Sequence, residues 1–194
     1  METDLELLAR YRRGDAQAMD ELVDRHAGVL YAYVRRFLRD PALAEDLTQE
    51  VWLRVLRRSG TFDGRSRFTT WLYTVTRNTC IDHLRRVQRR SPETDAEPSG
   101  EPFALEELAH PGPPIVEQVS RRELSALVEE AVEVLPDAQR EVFLLREQTG
   151  LTFREIGEVL ELPRDTVKSR MRYALGHIRR FVRRKLGREV KATP

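Results

Sequence analysis

Residues 151–174, LTFREIGEVLELPRDTVKSRMRYA, read as two short helices joined at the corner ELPRD. Thr152 and Glu155 have the spacing of a capping box, which starts a helix with Phe153, Ile156 and Leu160 turned inward. Pro163 cannot continue that helix, and Asp165 is placed to cap the next one. In the second helix Val167, Met171, Ala174 and Ile178 form one apolar stripe. Thr166, Lys168, Ser169, Arg172 and Tyr173 are left on the outward side, with Arg164 and Arg170 nearby. A short polar and basic face at a helix N-terminus suits base-edge and phosphate contact in the major groove of DNA. A solvated helical corner would also carry charge, so the rest of the chain has to choose between the two.

Outward from this corner the apolar spacing stays helical, and strand-like alternation is absent. Thr3 and Glu6 form another capping box, and Gly14 closes the helix it opens. Asp15 then caps a long helix with apolar positions Met19, Leu22, Val23, Val29, Leu30, Tyr33, Val34 and Phe37. Asp40 and Pro41 start a third helix whose stripe is Leu43, Leu47, Val51 and Val55. A fourth, FTTWLYTVTRNTCIDHLRRVQRR, follows the loop SGTFDGRSR. Helix resumes from Ile115, stops before Pro136 and continues to Gly150. Residues 91–114 hold six prolines, two glycines and six acids against no Lys or Arg. Such a segment buries too little apolar surface to offset its ordering entropy and reads as a linker. The expected architecture is all-α, with two small helical domains joined by an extended acidic linker. The N-terminal domain spans 1–90, the linker 91–114, the helix-turn-helix domain 115–186 and a short tail 187–194.

The formal net charge of +1 over 194 residues hides a block pattern. Residues 1–53 carry a net −4, 54–90 a net +8, 115–150 a net −4 and 151–194 a net +7. There are thus two separate basic surfaces that the whole-chain charge conceals. Cys80 is the only cysteine, which excludes an intramolecular disulfide and fits a reducing compartment; in a helix with Leu84 nearby it reads as core rather than nucleophile. No apolar run reaches the roughly 20 residues that cross a bilayer, and a cytoplasmic protein is expected. His26, His83, His110 and His177 are scattered, and no HExxH, P-loop or dinucleotide-binding glycine turn occurs. No catalytic, metal-binding or cofactor-binding set is expected, and the chain is not read as an enzyme.

The second basic block mixes arginine with aromatics in FDGRSRFTTWLYTVTRN, a combination suited to unpaired bases and their backbone. Trp71, Leu72 and Val75 also lie at core spacing, while Arg77 and Asn78 lie further along the helix. Upstream, Asp46, Gln49 and Glu50 form an acidic polar cluster beside the apolar stripe, fit for solvent or for a basic partner.

In this order and spacing, AEDLTQEVWLRVLRR, FDGRSRFTTWLYTVTRN, an acidic linker, LPDAQREVFLLREQTGLTFREIGEVL and PRDTVKSRMRYAL together resemble the extracytoplasmic-function sigma factors. The resemblance covers nearly the whole chain and implies a factor that binds RNA polymerase core and directs it to promoters. It implies that Asp46, Gln49 and Glu50 dock on the clamp coiled coil of the polymerase. It implies that the loop 62–67, through Phe62, Arg65, Ser66 and Arg67, captures a flipped base of the minus-ten element, with Arg77 and Asn78 on the melted strand. The outward face Thr166, Lys168, Ser169, Arg172 and Tyr173 would read the minus-thirty-five element as duplex. The acidic linker would follow the active-site channel toward the RNA exit, and an anti-sigma factor would be a further partner. The chain departs from the family where Glu161 and Asp165 replace frequent glycines, where Tyr173 replaces a frequent arginine, and where Arg172 stands at an often apolar position. The alternative from another class is a dimeric helix-turn-helix regulator, which leaves the DLTQE cluster and the 62–67 loop without a role.

Overall fold

The computed structural model describes residues 2–90 and 121–192. Among these residues the protein is all-helical. The linker 91–114, and the expected helix start at Ile115, lie outside the described residues.

In α1 (Asp4–Arg12) the capping box forms as read: the Glu6 amide donates to Thr3 Oγ1 at 3.3 Å and the Thr3 amide donates to Glu6 Oε2 at 2.7 Å. Gly14, at φ +99°, turns the chain into Asp15, whose carboxylate accepts from the Gln17 amide and caps α2 (Ala16–Leu38). Asp40 likewise caps α3 (Pro41–Arg58), accepting from the Leu43 amide at 3.1 Å. A single 3-10 turn, Ser59–Thr61, and a loop lead into α4 (Phe68–Arg90). α2 packs on α1 and α3, and α3 packs on α4, around Leu22, Leu30, Tyr33, Val51 and Leu72, all 0 % exposed. Val29 departs from the expected stripe and is exposed. Buried threonines in α4 satisfy themselves locally: Thr76 and Thr79 donate to the Leu72 and Val75 carbonyls at 2.8 Å.

The second unit comprises α5 (Arg121–Glu133), α6 (Asp137–Thr149), α7 (Phe153–Leu160) and α8 (Arg164–Ala192). α8 packs against α5, α6 and α7. Thr152 and Glu155 make the expected capping box on α7. Asp165 is not the cap of the following helix. The Pro163 carbonyl accepts from the Val167 amide at 3.2 Å, so α8 begins at Arg164 and Asp165 falls in its first turn. Proline lacks an N–H but keeps its carbonyl, which is all the cap position needs. The two units also pack on each other, α6 against α2 and α7 against α4.

Candidate nucleic-acid interface

The loop before α4 is fixed from a distant helix. Arg12, in the last turn of α1, donates from its guanidinium to the carbonyls of Ser59 and Phe62, its Nε lying 2.9 Å from the Ser59 oxygen. This clamps the start of the loop. Phe62 itself is turned inward and only 4 % exposed, its ring 5.2 Å from Trp71 and 6.2 Å from Phe68. The ring is therefore an anchor for the loop, and the polar tip is what faces solvent. Gly64 at φ +76° and the Arg65 amide donating to Asp63 Oδ1 form that tip, with the Arg65 side chain 89 % exposed. Ser66 is half-buried and Arg67 exposed.

One helix on, Arg77 is half-buried and Asn78 exposed on α4. Arg77 Nε lies 2.7 Å from Glu141 Oε1 on α6. Arg67 lies 3.5 Å from Glu155 on α7, a pair whose arginine is mostly exposed. Exposed pairs of this kind contribute under about 1 kcal/mol each. Arg77–Glu141, with side chains 24 % and 11 % exposed, is the sheltered member of the set. Burial pushes the Glu141 carboxyl above its ordinary range, against the pull of Arg77.

Asp46 and Gln49 are exposed on α3, whereas Glu50 is half-buried. Glu50 accepts from Arg54 at 2.6 Å, and Arg54 also reaches Asp82 on α4 at 3.2 Å. Glu50 thus belongs to the brace between α3 and α4 as well as to the acidic cluster.

The other basic surface is on α8. Val167, Met171, Ala174 and Ile178 are buried as the stripe requires. Lys168 and Arg172 are exposed, with Thr166, Ser169 and Tyr173 half-buried beside them. The Arg172 guanidinium lies 5.3 Å from the centre of the Tyr173 ring, which holds the cation outward. Lys168 has Asp165 at 3.5 Å, a weak exposed contact that a phosphate can displace. The corner preceding α8 is tight: Leu162 donates to the Gly157 carbonyl at 2.9 Å, and Glu161 takes a left-handed conformation at φ +56°. Sequence reasoning missed Arg12 and Gly157. Nothing local marks Arg12, whereas Gly157 stood as an isolated glycine inside a helical pattern, a sign of close backbone approach.

Two family models match the chain, Sigma-70 region 2 over residues 22–90 and Sigma-70, region 4 over residues 131–180. The RNA polymerase sigma-H factor of Pseudomonas aeruginosa is 34% identical over 175 residues, covering 88% of this chain and 89% of that protein. The ECF RNA polymerase sigma-E factor of Escherichia coli is 32% identical over 174 residues, 87% of this chain and 88% of its own. The ECF sigma factor SigW of Bacillus subtilis is 31% identical, with coverages of 91% and 95%. The chain belongs to the extracytoplasmic-function sigma factors. As a sigma factor it binds RNA polymerase core and directs promoter-specific initiation. The fold agrees with that of CnrH in its complex with the cytosolic domain of CnrY, at a TM-score of 0.65 and 21% identity over 93% of this chain and 97% of that one. It also agrees with RpoE of Bartonella quintana, solved with the anti-sigma factor NepR, at a TM-score of 0.61 and 20% identity over 84% and 97%. Region 2 contains the loop and α4, and region 4 contains the corner and the basic face of α8.

Proposed function

We propose that this sigma factor divides promoter recognition between the two basic surfaces. The unit over 1–90 docks on polymerase through Asp46 and Gln49, with Glu50 shared between docking and the α3–α4 brace. Its loop tip at Arg65, Ser66 and Arg67, together with Arg77 and Asn78, receives the melted minus-ten strand, while Phe62 holds the loop from beneath. The unit over 115–186 reads the minus-thirty-five duplex with Thr166, Lys168, Ser169, Arg172 and Tyr173. Residues 91–114 connect the two, and the expected tail from residue 187 instead continues α8 to Ala192. The observation that carries this reading is the outward basic face of α8 above a buried stripe, matched on α4 by a second surface of half-buried Arg77 and exposed Asn78. Duplex binding needs a helix end with free cations, and strand binding needs cations beside a loop.

The role is non-catalytic and is exercised in the cytoplasm, where polymerase and promoter are. An anti-sigma factor is a further partner on this reading, supported by family membership. Run-off transcription with purified core polymerase on genomic fragments tests it. Discrete start sites that appear only with this chain are expected; their absence, with the chain failing to bind core, would overturn it. The alternative of a dimeric regulator predicts a dimer by size-exclusion and leaves the polymerase unbound.

A further inference from the structure

Arg12 joins α1 to the root of the loop before α4. Its guanidinium donates to the Ser59 and Phe62 carbonyls, which lie on either side of the 3-10 turn that starts the loop. Ser59 is also the C-cap of α3, the negative end of that helix, where a cation is favoured. Among the described residues Arg12 meets these carbonyls alone, whereas Arg10 pairs with Glu2, Asp15 and Glu21 at the α1–α2 corner. The helix that carries Arg12 is held by other groups. Leu7 and Leu8 are buried, and Asp4 accepts from Arg25 at 2.6 Å and lies 2.9 Å from His26 Nε2. Phe62 is thus fixed at two points, its carbonyl by Arg12 and its ring by Phe68 and Trp71. Asp63 follows directly and accepts from the Arg65 amide at 3.0 Å, so the polar tip grows from a fixed root. A guanidinium suits this place, because its rigid plane of N–H donors serves two carbonyls at once, which the compact point charge of an ammonium does not.

We propose that Arg12 is a positioning residue for minus-ten recognition. By tying the Ser59 and Phe62 carbonyls to α1, it preorganises the 62–67 loop, so that the base-accepting conformation stands ready before the strand arrives. Preorganisation of this kind removes an ordering cost that binding would otherwise carry. The effect falls on selectivity at one base, because Arg77 and Asn78 sit on α4 and do not depend on the clamp. The match to region 2 begins at residue 22, so this role extends minus-ten recognition to a helix outside the matched region. The inference rests on the reading of the 62–67 loop as the site of the flipped base.

The test uses the holoenzyme, full chain with core polymerase, and a fluorescent non-template strand of about 12 nucleotides from a promoter mapped by run-off transcription. A series of the same strand with an abasic site at each position in turn shows which base the holoenzyme reads. If the competent fraction of the loop falls to about one in ten without the clamp, Arg12→Ala loses about tenfold in affinity for the intact strand. Binding of the strand that is abasic at the selected position should stay within about twofold, since that strand has no base for the loop to hold. Arg12→Lys keeps the charge without the fork and should fall between Arg12→Ala and the unaltered protein. Hydrogen exchange across residues 59–67 of the free chain should quicken in both variants, with α1 and α4 still protected. Undiminished base selectivity in Arg12→Ala overturns the proposal. So do parallel losses on intact and abasic strands, which report a lost charge or a weakened fold. A holoenzyme that reads a base in the unaltered form, and reads it equally well in Arg12→Ala, removes the positioning role alone. An unaltered holoenzyme indifferent to every abasic site removes the loop reading and the proposal with it. Should Arg12→Ala fail to fold, Arg12→Lys carries the same comparison.

Discussion

A Cβ placed on Gly157 would stand 2.8 Å from the carbonyl oxygen of Leu162, closer than such atoms approach. The turn between α7 and α8 is therefore built on direct backbone contact, reinforced by the Leu162 amide donating back to the Gly157 carbonyl. Gly157→Ala must push the corner apart, and overpacking of this kind costs about 1–3 kcal/mol. A lower melting temperature and weaker binding to upstream duplex are expected, with core polymerase affinity preserved because α3 is remote. If thermal unfolding and duplex titration both match the unaltered protein, the corner relaxes more freely than its geometry implies.

Glu161 and Asp165, the two positions at which the sequence resemblance led to an expectation of glycine, separate in sign. Glu161 holds a left-handed conformation, which costs a side chain about 1 kcal/mol or more. Glu161→Gly should therefore stabilise, by somewhat less than that because glycine also frees the unfolded chain. Asp165 sits in the first turn of α8, where an acid favours the helix dipole by about 0.3–1 kcal/mol. Asp165→Gly should destabilise. Denaturant midpoints of the two variants moving in the same direction would contradict this assignment of the turn.

The local devices of the fold were legible because each is written within four residues. The capping boxes at Thr3 and Thr152, the caps at Asp15 and Asp40 and the buried stripe of α8 all form as their spacing requires. What escaped was tertiary. Arg12 meets Ser59 across 47 residues and Arg77 meets Glu141 across 64, and periodicity carries no information on which faces meet. For the same reason the spacing left Phe62 as a candidate for the strand when three aromatic rings in fact pack together beneath the loop. The cap on α8 lies two residues before the expected Asp165, because a proline carbonyl and an aspartate side chain offer alternative starts.

The cross-domain carboxylates respond to pH in opposite senses. Burial holds Glu141 above its ordinary value of 4.5 in the folded state, outweighing Arg77. Its contribution to stability is thus fully present below 4.5 and is lost as pH rises through the folded value. Burial alone would lift Glu155 too, yet the Thr152 amide and hydroxyl, with Arg67, hold it below 4.5. Its contribution is present above 4.5 and is lost as pH falls through the folded value. Glu141→Gln should flatten the loss on the alkaline side of 4.5, and Glu155→Gln the loss on the acid side. Urea midpoints across a pH series measure both; identical profiles for the two variants would show that neither group is coupled to folding as described.

Docking on polymerase should depend on Asp46 more cleanly than on Glu50. Asp46 is exposed, whereas Glu50 braces α3 to α4 through Arg54. Asp46→Arg is expected to weaken core binding with unfolding unchanged, since reversing an interfacial charge costs affinity without touching the fold. Glu50→Arg should weaken binding and lower stability together, placing it beside Arg54 and Arg86. A core titration paired with thermal unfolding separates the two, and equal affinity for Asp46→Arg and the unaltered protein would remove α3 from the docking surface.

The two basic surfaces should fail at different steps of initiation. Arg172→Ala removes an exposed cation from the outward face of α8 and leaves the stripe beneath intact. It should weaken upstream duplex binding by about 1–3 kcal/mol if Arg172 meets a base edge, or lower the salt slope by about one if it meets a phosphate. Asn78→Ala and Arg65→Ala alter exposed positions on α4 and at the loop tip. They are cleaner probes than any change at Phe62, because truncating a buried phenylalanine costs about 3–5 kcal/mol of stability by itself. Both should leave duplex binding within about twofold and impair promoter opening, since contacts to unstacked bases exist only once the strands part. A template melted in advance across the minus-ten region should therefore rescue Asn78→Ala in part, and should leave the Arg172→Ala defect in place. Permanganate reactivity of unpaired thymines on duplex and pre-melted templates reads the step directly. Should both variants stall at one step and respond alike to the bubble, a single continuous DNA surface would replace the two described.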